Sequence, residues 1–274
     1  MKRNERLVDF TNYLINHPNK MLNLNKLSKR YEVAKSSISE DLVFIKHVFE
    51  DQGVGIVETF PGSLGGVRFT PYITDKMSQE MSEQLAKLLS EENRILPGGY
   101  IYLSDILGTP SNLKKIGQII AHEYKDKQID VIMTIATKGI PIAQSVAEIL
   151  DVPFVIVRRD QKVTEGATLN VNYMSGSSSR VENMTLSKRS LSIGQSVLIV
   201  DDFMKGAGTI NGMKSLVYEF DCFLAGVAVF LEGPFKGDRL VKEYKSILRV
   251  DSIDIANRSI DVKLGNIFEN QPKD

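Results

Sequence analysis

The sequence predicts an α/β protein made of two unlike domains, and three observations predict it. Residues 1–73 carry apolar residues at helical spacing and end in two short β-like runs around a Pro/Gly turn. From about Ile129 the pattern changes to continuous apolar strands alternating with helices, which indicates a mainly parallel sheet covered on both faces. The length, 274 residues, is long for one compact domain and comfortable for two. The expected division is therefore 1–73 and 74–274, with residues 74–95 forming a linker helix.

The first domain reads as three helices and a hairpin. Leu7, Phe10 and Leu14 fall on one helical face, and that segment stops at His17-Pro18. Leu24, Leu27 and Tyr31 repeat the spacing in a short second helix, and Ile38, Leu42, Ile45 and Phe49 stripe a third. Ser37, with Glu40 three residues on, reads as a capping box opening that third helix. "VGIVETFPGSLGGVRFT", from Val54, then gives two short strands.

Helix, short helix, tight turn, helix, hairpin is the order of a winged helix-turn-helix. The third helix of such a reader enters the major groove by its N-terminal residues. Lys35, Ser36, Ser37 and Ser39 cluster at that end and suit phosphates and base edges. Arg68 lies in the hairpin, and Lys2 and Arg3 are in reach of a neighbouring phosphate or minor groove. Double-stranded operator DNA is the expected partner. The competing reading has Ser36 and Ser37 merely capping a helix and the hairpin contacting protein. Charge decides nothing here: residues 1–74 carry ten Lys and Arg against eight Asp and Glu, in a chain of net charge zero.

The next helix, "ITDKMSQEMSEQLAKLLSEEN", sets Met77, Met81, Leu85 and Leu88 on one face, for a linker or a dimer contact. Then "DVIMTIA", "VPFVIVRRD", "SVLIVDD" and "FLAGVAVFLEG" read as strands, with "IAQSVAEIL" and "INGMKSLVYEF" as helices. A polar segment, 161–195, reads as a long loop. "ATKGIP", "VRRDQK" and "DDFMKGAGT" all leave strands at one edge, where sheets of this kind bind ligands.

"KGAGT", Lys205–Thr209, is built to cradle a monophosphate. Glycines allow a tight turn, the following helix offers its positive end, and Thr209 adds a hydroxyl. Asp201 and Asp202 stand one sugar-length away and suit the 2′- and 3′-hydroxyls of a ribose. A Walker loop is absent. Gly206, Gly208 and Gly212 miss the dinucleotide fingerprint by one residue, although Glu232 falls at a plausible acidic position.

"VLIVDDFMKGAGT" resembles the phosphoribosyl-pyrophosphate (PRPP) motif of type I phosphoribosyltransferases, so the second domain is expected to share their fold. The resemblance, which spans roughly Leu96 to Gly233, implies that Asp201, Asp202, Phe203, Met204, Lys205, Gly206, Ala207, Gly208 and Thr209 form the PRPP site. "ATKGIP" resembles the family's pyrophosphate loop, which assigns Ala136, Thr137, Lys138 and Gly139 to it, with Arg158, Arg159 and Lys162 neutralising charge. Residues 163–195 correspond to a flexible loop closing over PRPP. "LPGGYIYLSD" corresponds to a small hood, from which Tyr100 and Tyr102, together with Phe203, reach a purine; the alternative is that these aromatics are core.

Joined to its N-terminal half, the whole chain is similar to the purine-operon repressors of Gram-positive bacteria, in "KSSISEDL", "RILPGGYIYLSDILG", "ATKGIP" and "DDFMKGAGTING". That resemblance implies a transcriptional repressor whose transferase fold senses rather than catalyses. PRPP, with Mg²⁺, is the implied inducer, guanine nucleotides such as ppGpp the competing co-repressors, and a homodimer the implied assembly. The alternative is a catalytically active purine phosphoribosyltransferase that also binds DNA.

Composition excludes several other classes. One cysteine, Cys222, in an apolar run, allows no disulfide framework, and His17, His47 and His122 are scattered away from ligand spacing, so no metal site is expected. The start has no signal-peptide pattern and no apolar run reaches bilayer length, which predicts a cytoplasmic protein without a membrane partner.

Overall fold

The computed structural model describes residues 1–62, 65–91, 94–97, 100–160, 163–174 and 180–269; Lys162 lies outside the described residues. The chain forms two compact units, Met1–Thr74 with Ile149–Asp151, and Asp75–Glu148 with Val152–Asp274.

In the first unit the elements run α1 (Arg3–Ile15), β1 (Leu22–Asn23), α2 (Leu24–Tyr31), α3 (Lys35–Asp51), β2 (Gly55–Phe60) and β3 (Gly66–Pro71). The strands pair antiparallel in the order β1-β3-β2. Phe10, Leu14, Leu27 and Tyr31 pack with Ile38, Leu42, Ile45 and Phe49 of α3 and with Val57, Val67 and Phe69 of the hairpin. Each large side chain so buried stabilises by about 1.5–3 kcal/mol. One buried ion pair sits beside this core: Asp41 accepts from the buried Arg6 Nε at 2.6 Å and from Arg3 Nε at 3.1 Å. Burying a carboxylate is tolerable only with such pairing.

The capping box expected at Ser37 and Glu40 is not formed. α3 begins at Lys35 with Ala34 as its cap, because the left-handed residue Glu32 (φ 53°) ends α2 and returns the chain to helical geometry two residues early. Ser37 and Glu40 lie inside the helix. An acid works in that way at α1, where the Glu5 carboxylate accepts from the Lys2 N–H at 2.8 Å.

The second unit begins with α4 (Asp75–Leu89) and two short paired strands, β4 (Ile95–Leu96) and β5 (Tyr100–Ile101). α5 (Ser104–Gly108) and α6 (Pro110–Glu123) follow, then β6 (Val131–Ile135), α7 (Gly139–Leu150) and β7 (Phe154–Val157). The remaining elements are β8 (Thr168–Met174), β9 (Val181–Ser187), β10 (Ser196–Met204), α8 (Gly208–Glu219), β11 (Phe223–Glu232), β12 (Lys245–Asp254) and β13 (Ser259–Leu264). The main sheet has the order β13-β12-β11-β10-β6-β7 and is parallel except at β13. Val131, Met133, Val197, Ile199, Val227 and Val229 face α8 and the β8–β9 hairpin. The alternate residues Ile132, Leu198, Val200 and Phe230 are equally buried, so both faces are covered. The mixed α/β architecture and mainly parallel sheet are as the sequence predicts.

Three expectations change. α4 buries Ser78, Ser82, Leu85 and Leu89, not the stripe of Met77, Met81, Leu85 and Leu88, and it packs on β13 and α6 of its own unit. Small serines allow close approach, and the Ser82 hydroxyl is satisfied by the Ser78 carbonyl at 2.9 Å. The polar segment expected as a loop contains the antiparallel pair β8–β9. Leu169, Val171 and Tyr173 alternate with Asn170 and Asn172, and the inward set rests against α8. There a β-carbon on Gly212 would meet Met184 Cε at 2.7 Å and Tyr173 Cγ at 2.9 Å, so the glycine admits the hairpin. Finally, β10 does not stop at the two acids but continues to Met204. No helix among the described residues is long and apolar enough to cross a membrane.

Candidate functional site

The functional loops converge at the carboxyl ends of β6 and β10, neighbours in the parallel sheet. Each strand feeds a helix, α7 from Gly139 and α8 from Gly208, so two positive helix ends face one region. The Thr137 hydroxyl lies 3.4 Å from Asp202 Oδ1 and bridges the two loops. Gly139 permits this closeness: a β-carbon there would collide with the Thr134 hydroxyl and come within 3.1 Å of Asp201 Oδ1.

Because the strand runs on through the acids, successive side chains turn to opposite faces. Asp201 lines a cleft of about 280 Å³ with Arg159, Glu182, Phe203, residues 204–208 and Thr209. Asp202 lines an adjoining cleft of about 200 Å³ with Tyr100, Lys138, Pro234 and Ile253. Phe203 and Lys205 border both. Asp201 is buried and accepts from the Asp202 N–H at 2.9 Å. Burial, and then the neighbouring Asp202 charge, hold its pKa well above the usual carboxylate range.

The cradle differs in detail from the sequence reading. The residue in left-handed conformation is Ala207 (φ 63°), not Gly206 or Gly208. Met204 and Ala207 belong to the buried apolar core and also border the cleft. Ala136, Thr137 and Lys138 are exposed at the mouth. Arg159 reaches the larger cleft, where Glu182 stands 3.5 Å from its Nε. Arg158, one residue earlier and so on the other face, instead bonds Glu165 at 3.2 Å and lines neither cleft. Tyr100 is exposed and reaches the smaller cleft; Tyr102 does not line it.

Glu182 is the residue that the sequence reading missed. It accepts from the Tyr173 hydroxyl at 2.6 Å, and burial, with this bond second, pushes that phenol up to about 12. Its only sequence signal is its place in a strand of the unexpected hairpin. Glu232, the acid considered for a dinucleotide ribose, is buried and taken by Arg239 (2.7 Å), Tyr244 (2.5 Å) and Ser246 (3.1 Å). That occupancy removes the dinucleotide reading. Among the described residues no three His, Cys, Asp or Glu side chains are grouped to hold a metal.

In the first unit Lys35, Ser36 and Ser39 are exposed and Ser37 is half-buried, in the opening turns of α3, which has no acid in its first turn. Ser39 Oγ donates to Lys35 O at 3.1 Å. Arg68 bonds Glu58 at 2.8 Å across the hairpin and lies over the Phe60 ring. Lys2 is exposed, while Arg3 is held by Asp41 and the Phe44 ring.

These features define a chain that carries a winged helix and a phosphoribosyltransferase-type domain. Residues 2–71 match the family described as "Bacterial purine repressor, N-terminal", and residues 103–265 match "Phosphoribosyl transferase domain". The chain is 87% identical over 271 residues to the purine biosynthesis transcriptional activator PurR of Lactococcus lactis subsp. lactis, covering 99% of this chain and all of that one. It is 51% identical over 267 residues to the purine biosynthesis transcriptional repressor PurR of Bacillus subtilis, covering 97% and 94%. Among solved structures, adenine phosphoribosyltransferase from Thermoanaerobacter pseudethanolicus superposes with a TM-score of 0.50 at 22% identity, over 55% of this chain and 87% of that one. The chain belongs to the PurR family of purine biosynthesis transcription regulators, and as such it binds DNA.

Proposed function

We propose that the second unit senses PRPP and that the first is the operator-DNA reader it controls. The observation that carries this reading is the convergence of the 136–139 loop, the Asp201–Asp202 pair and the 205–209 loop at neighbouring strand ends, tied by the Thr137–Asp202 contact. The 5-phosphate sits on the 205–209 backbone and the Thr209 hydroxyl. The ribose hydroxyls donate to Asp201 and Asp202, and the diphosphate meets Thr137, Lys138, the Gly139 N–H and Arg159. Mg²⁺ arrives with the ligand, held by diphosphate oxygens and at most one or two carboxylates, the donor set this ion favours. Guanine nucleotides such as ppGpp take the same cradle and compete, with the base against Tyr100 and Phe203. The assembly is a homodimer in the cytoplasm.

The expected direction of regulation, repression, is one of the two that the relatives' names carry. The relative at 87% identity is named an activator and the one at 51% a repressor, so the nearer identity favours activation here. In either sign PRPP raises purine-gene transcription. Deleting the gene and measuring purine-gene transcripts tests this: activation predicts a fall, repression a rise.

A second reading, an active phosphoribosyltransferase, draws on the domain match over 103–265. Sensing without transfer is favoured by the DNA-reading unit, which a transferase does not need. Incubating the chain with PRPP, Mg²⁺ and each purine base distinguishes them: pyrophosphate release at enzymic rates supports the transferase.

A further inference from the structure

A segment outside the recognised motifs sets the direction of the phosphate loop. After β11 the chain passes behind that loop, and three consecutive carbonyls there are taken from the rear. The Gly233 N–H donates to Met204 O at 2.8 Å, Arg239 Nε donates to Lys205 O at 3.0 Å, and the Leu240 N–H donates to Gly206 O at 3.3 Å. A trans peptide plane points its carbonyl and the following N–H in opposite directions. With the Lys205 and Gly206 carbonyls turned to the 233–240 segment, the N–H groups of Gly206 and Ala207 face the cleft.

We propose that Arg239 is the positioning residue of the anion cradle: its fork fixes the loop so that the Gly206 and Ala207 amides are presented to a sugar-linked monophosphate. The fork itself is held. Another Arg239 nitrogen donates to Glu232 at 2.7 Å, and a third bond runs to Gly233 O at 2.9 Å. Glu232 in turn accepts from Tyr244 and Ser246, so the guanidinium has one well-defined seat. A planar guanidinium serves three acceptors in fixed directions, which an ammonium does not. The left-handed Ala207 fits the same account: backbone strain at a ligand loop persists when neighbouring contacts over-determine it. Nothing in "KGAGT" itself dictates this orientation.

The inference rests on reading residues 205–209 as the phosphate cradle, and the test separates the two. The full chain is titrated with ribose 5-phosphate by calorimetry and by amide NMR. In the wild type, Gly206 and Ala207 amides should exchange freely without ligand, then shift and become protected with it. Arg239→Lys keeps the charge and one bond to Glu232 but loses the fork; it should weaken ribose 5-phosphate about tenfold and abolish the protection of those two amides, while operator affinity is unchanged. Lys236→Ala removes an exposed charge from the same segment without touching the fork and should bind normally. No binding of ribose 5-phosphate by the wild type would overturn the cradle itself. Normal binding by Arg239→Lys, or amides already protected in the free wild type, would overturn only the positioning role.

Discussion

The Thr137 hydroxyl and Asp202 Oδ1 lie 3.4 Å apart, joining the loop after β6 to the acid pair of β10. Two segments 65 residues apart in sequence thus share one mouth at the sheet's edge. Asp202 lines the smaller cleft, while Asp201 stays buried against the larger one.

Replacing both acids, Asp201→Asn with Asp202→Asn, should abolish PRPP binding and leave operator binding intact. Calorimetry with PRPP and Mg²⁺ checks the first part, and a DNA shift assay the second. Unchanged PRPP affinity would remove the ribose assignment.

Asp201 alone carries a pH signature. Its folded-state pKa is raised above 3.8 by burial and by Asp202, so the folded protein holds this proton more tightly than the unfolded chain. Stability contributed at this site therefore declines as pH rises from about 4 through the folded pKa, and the penalty is complete above it. Asp201→Asn should raise Tm at pH 8, with a gain that shrinks as pH falls toward 4, while PRPP binding is lost. A gain independent of pH would show that the buried charge is not its source.

At the proposed DNA-reading end of α3, Lys35→Ala and Ser37→Ala should weaken operator binding without altering PRPP affinity. Where the substituted side chain neutralises a phosphate, as Lys35 would, the log–log salt dependence should flatten by about 0.9. Arg68→Ala should act likewise, with an added cost from freeing Glu58 of its partner. Operator isotherms at several salt concentrations check all three.

In the same unit, Arg6→Met should destabilise by about 3–5 kcal/mol, since it strips the buried Asp41 of its 2.6 Å partner and leaves only the half-exposed Arg3. The double variant Arg6→Met with Asp41→Leu should recover most of that loss. Thermal unfolding of the full chain, following the transition of the first unit, provides the measurement.

Much of this was legible in the sequence where one physical signal dominates. Ile38, Leu42, Ile45 and Phe49 announce α3 because burial of one helical face is unambiguous. The acid pair and the glycine loop are legible because few chemistries need both at adjoining positions. What escaped was decided by tertiary contact. Ser78 and Ser82 carry no hydrophobic signal, yet they are buried because α4 needs a close approach. The β8–β9 hairpin hides in a polar segment whose alternation of Leu169, Val171 and Tyr173 with asparagines is short. Strands β12 and β13, beyond the motifs, complete the sheet without a ligand-related pattern to mark them. Arg239 and Glu182 reach the loop and the cleft from outside the motif, and spacing along the chain contains no trace of that.

The most direct test of the central claim is the affinity of PRPP measured with and without saturating operator DNA, at fixed salt and Mg²⁺. A ligand shifts a two-state equilibrium only by its differential affinity, and the coupling is reciprocal. The account predicts that operator DNA changes PRPP affinity, by the same factor as PRPP changes operator affinity, and that ppGpp displaces PRPP from one site. Equal PRPP affinities in the two titrations, or no PRPP binding in either, would contradict it.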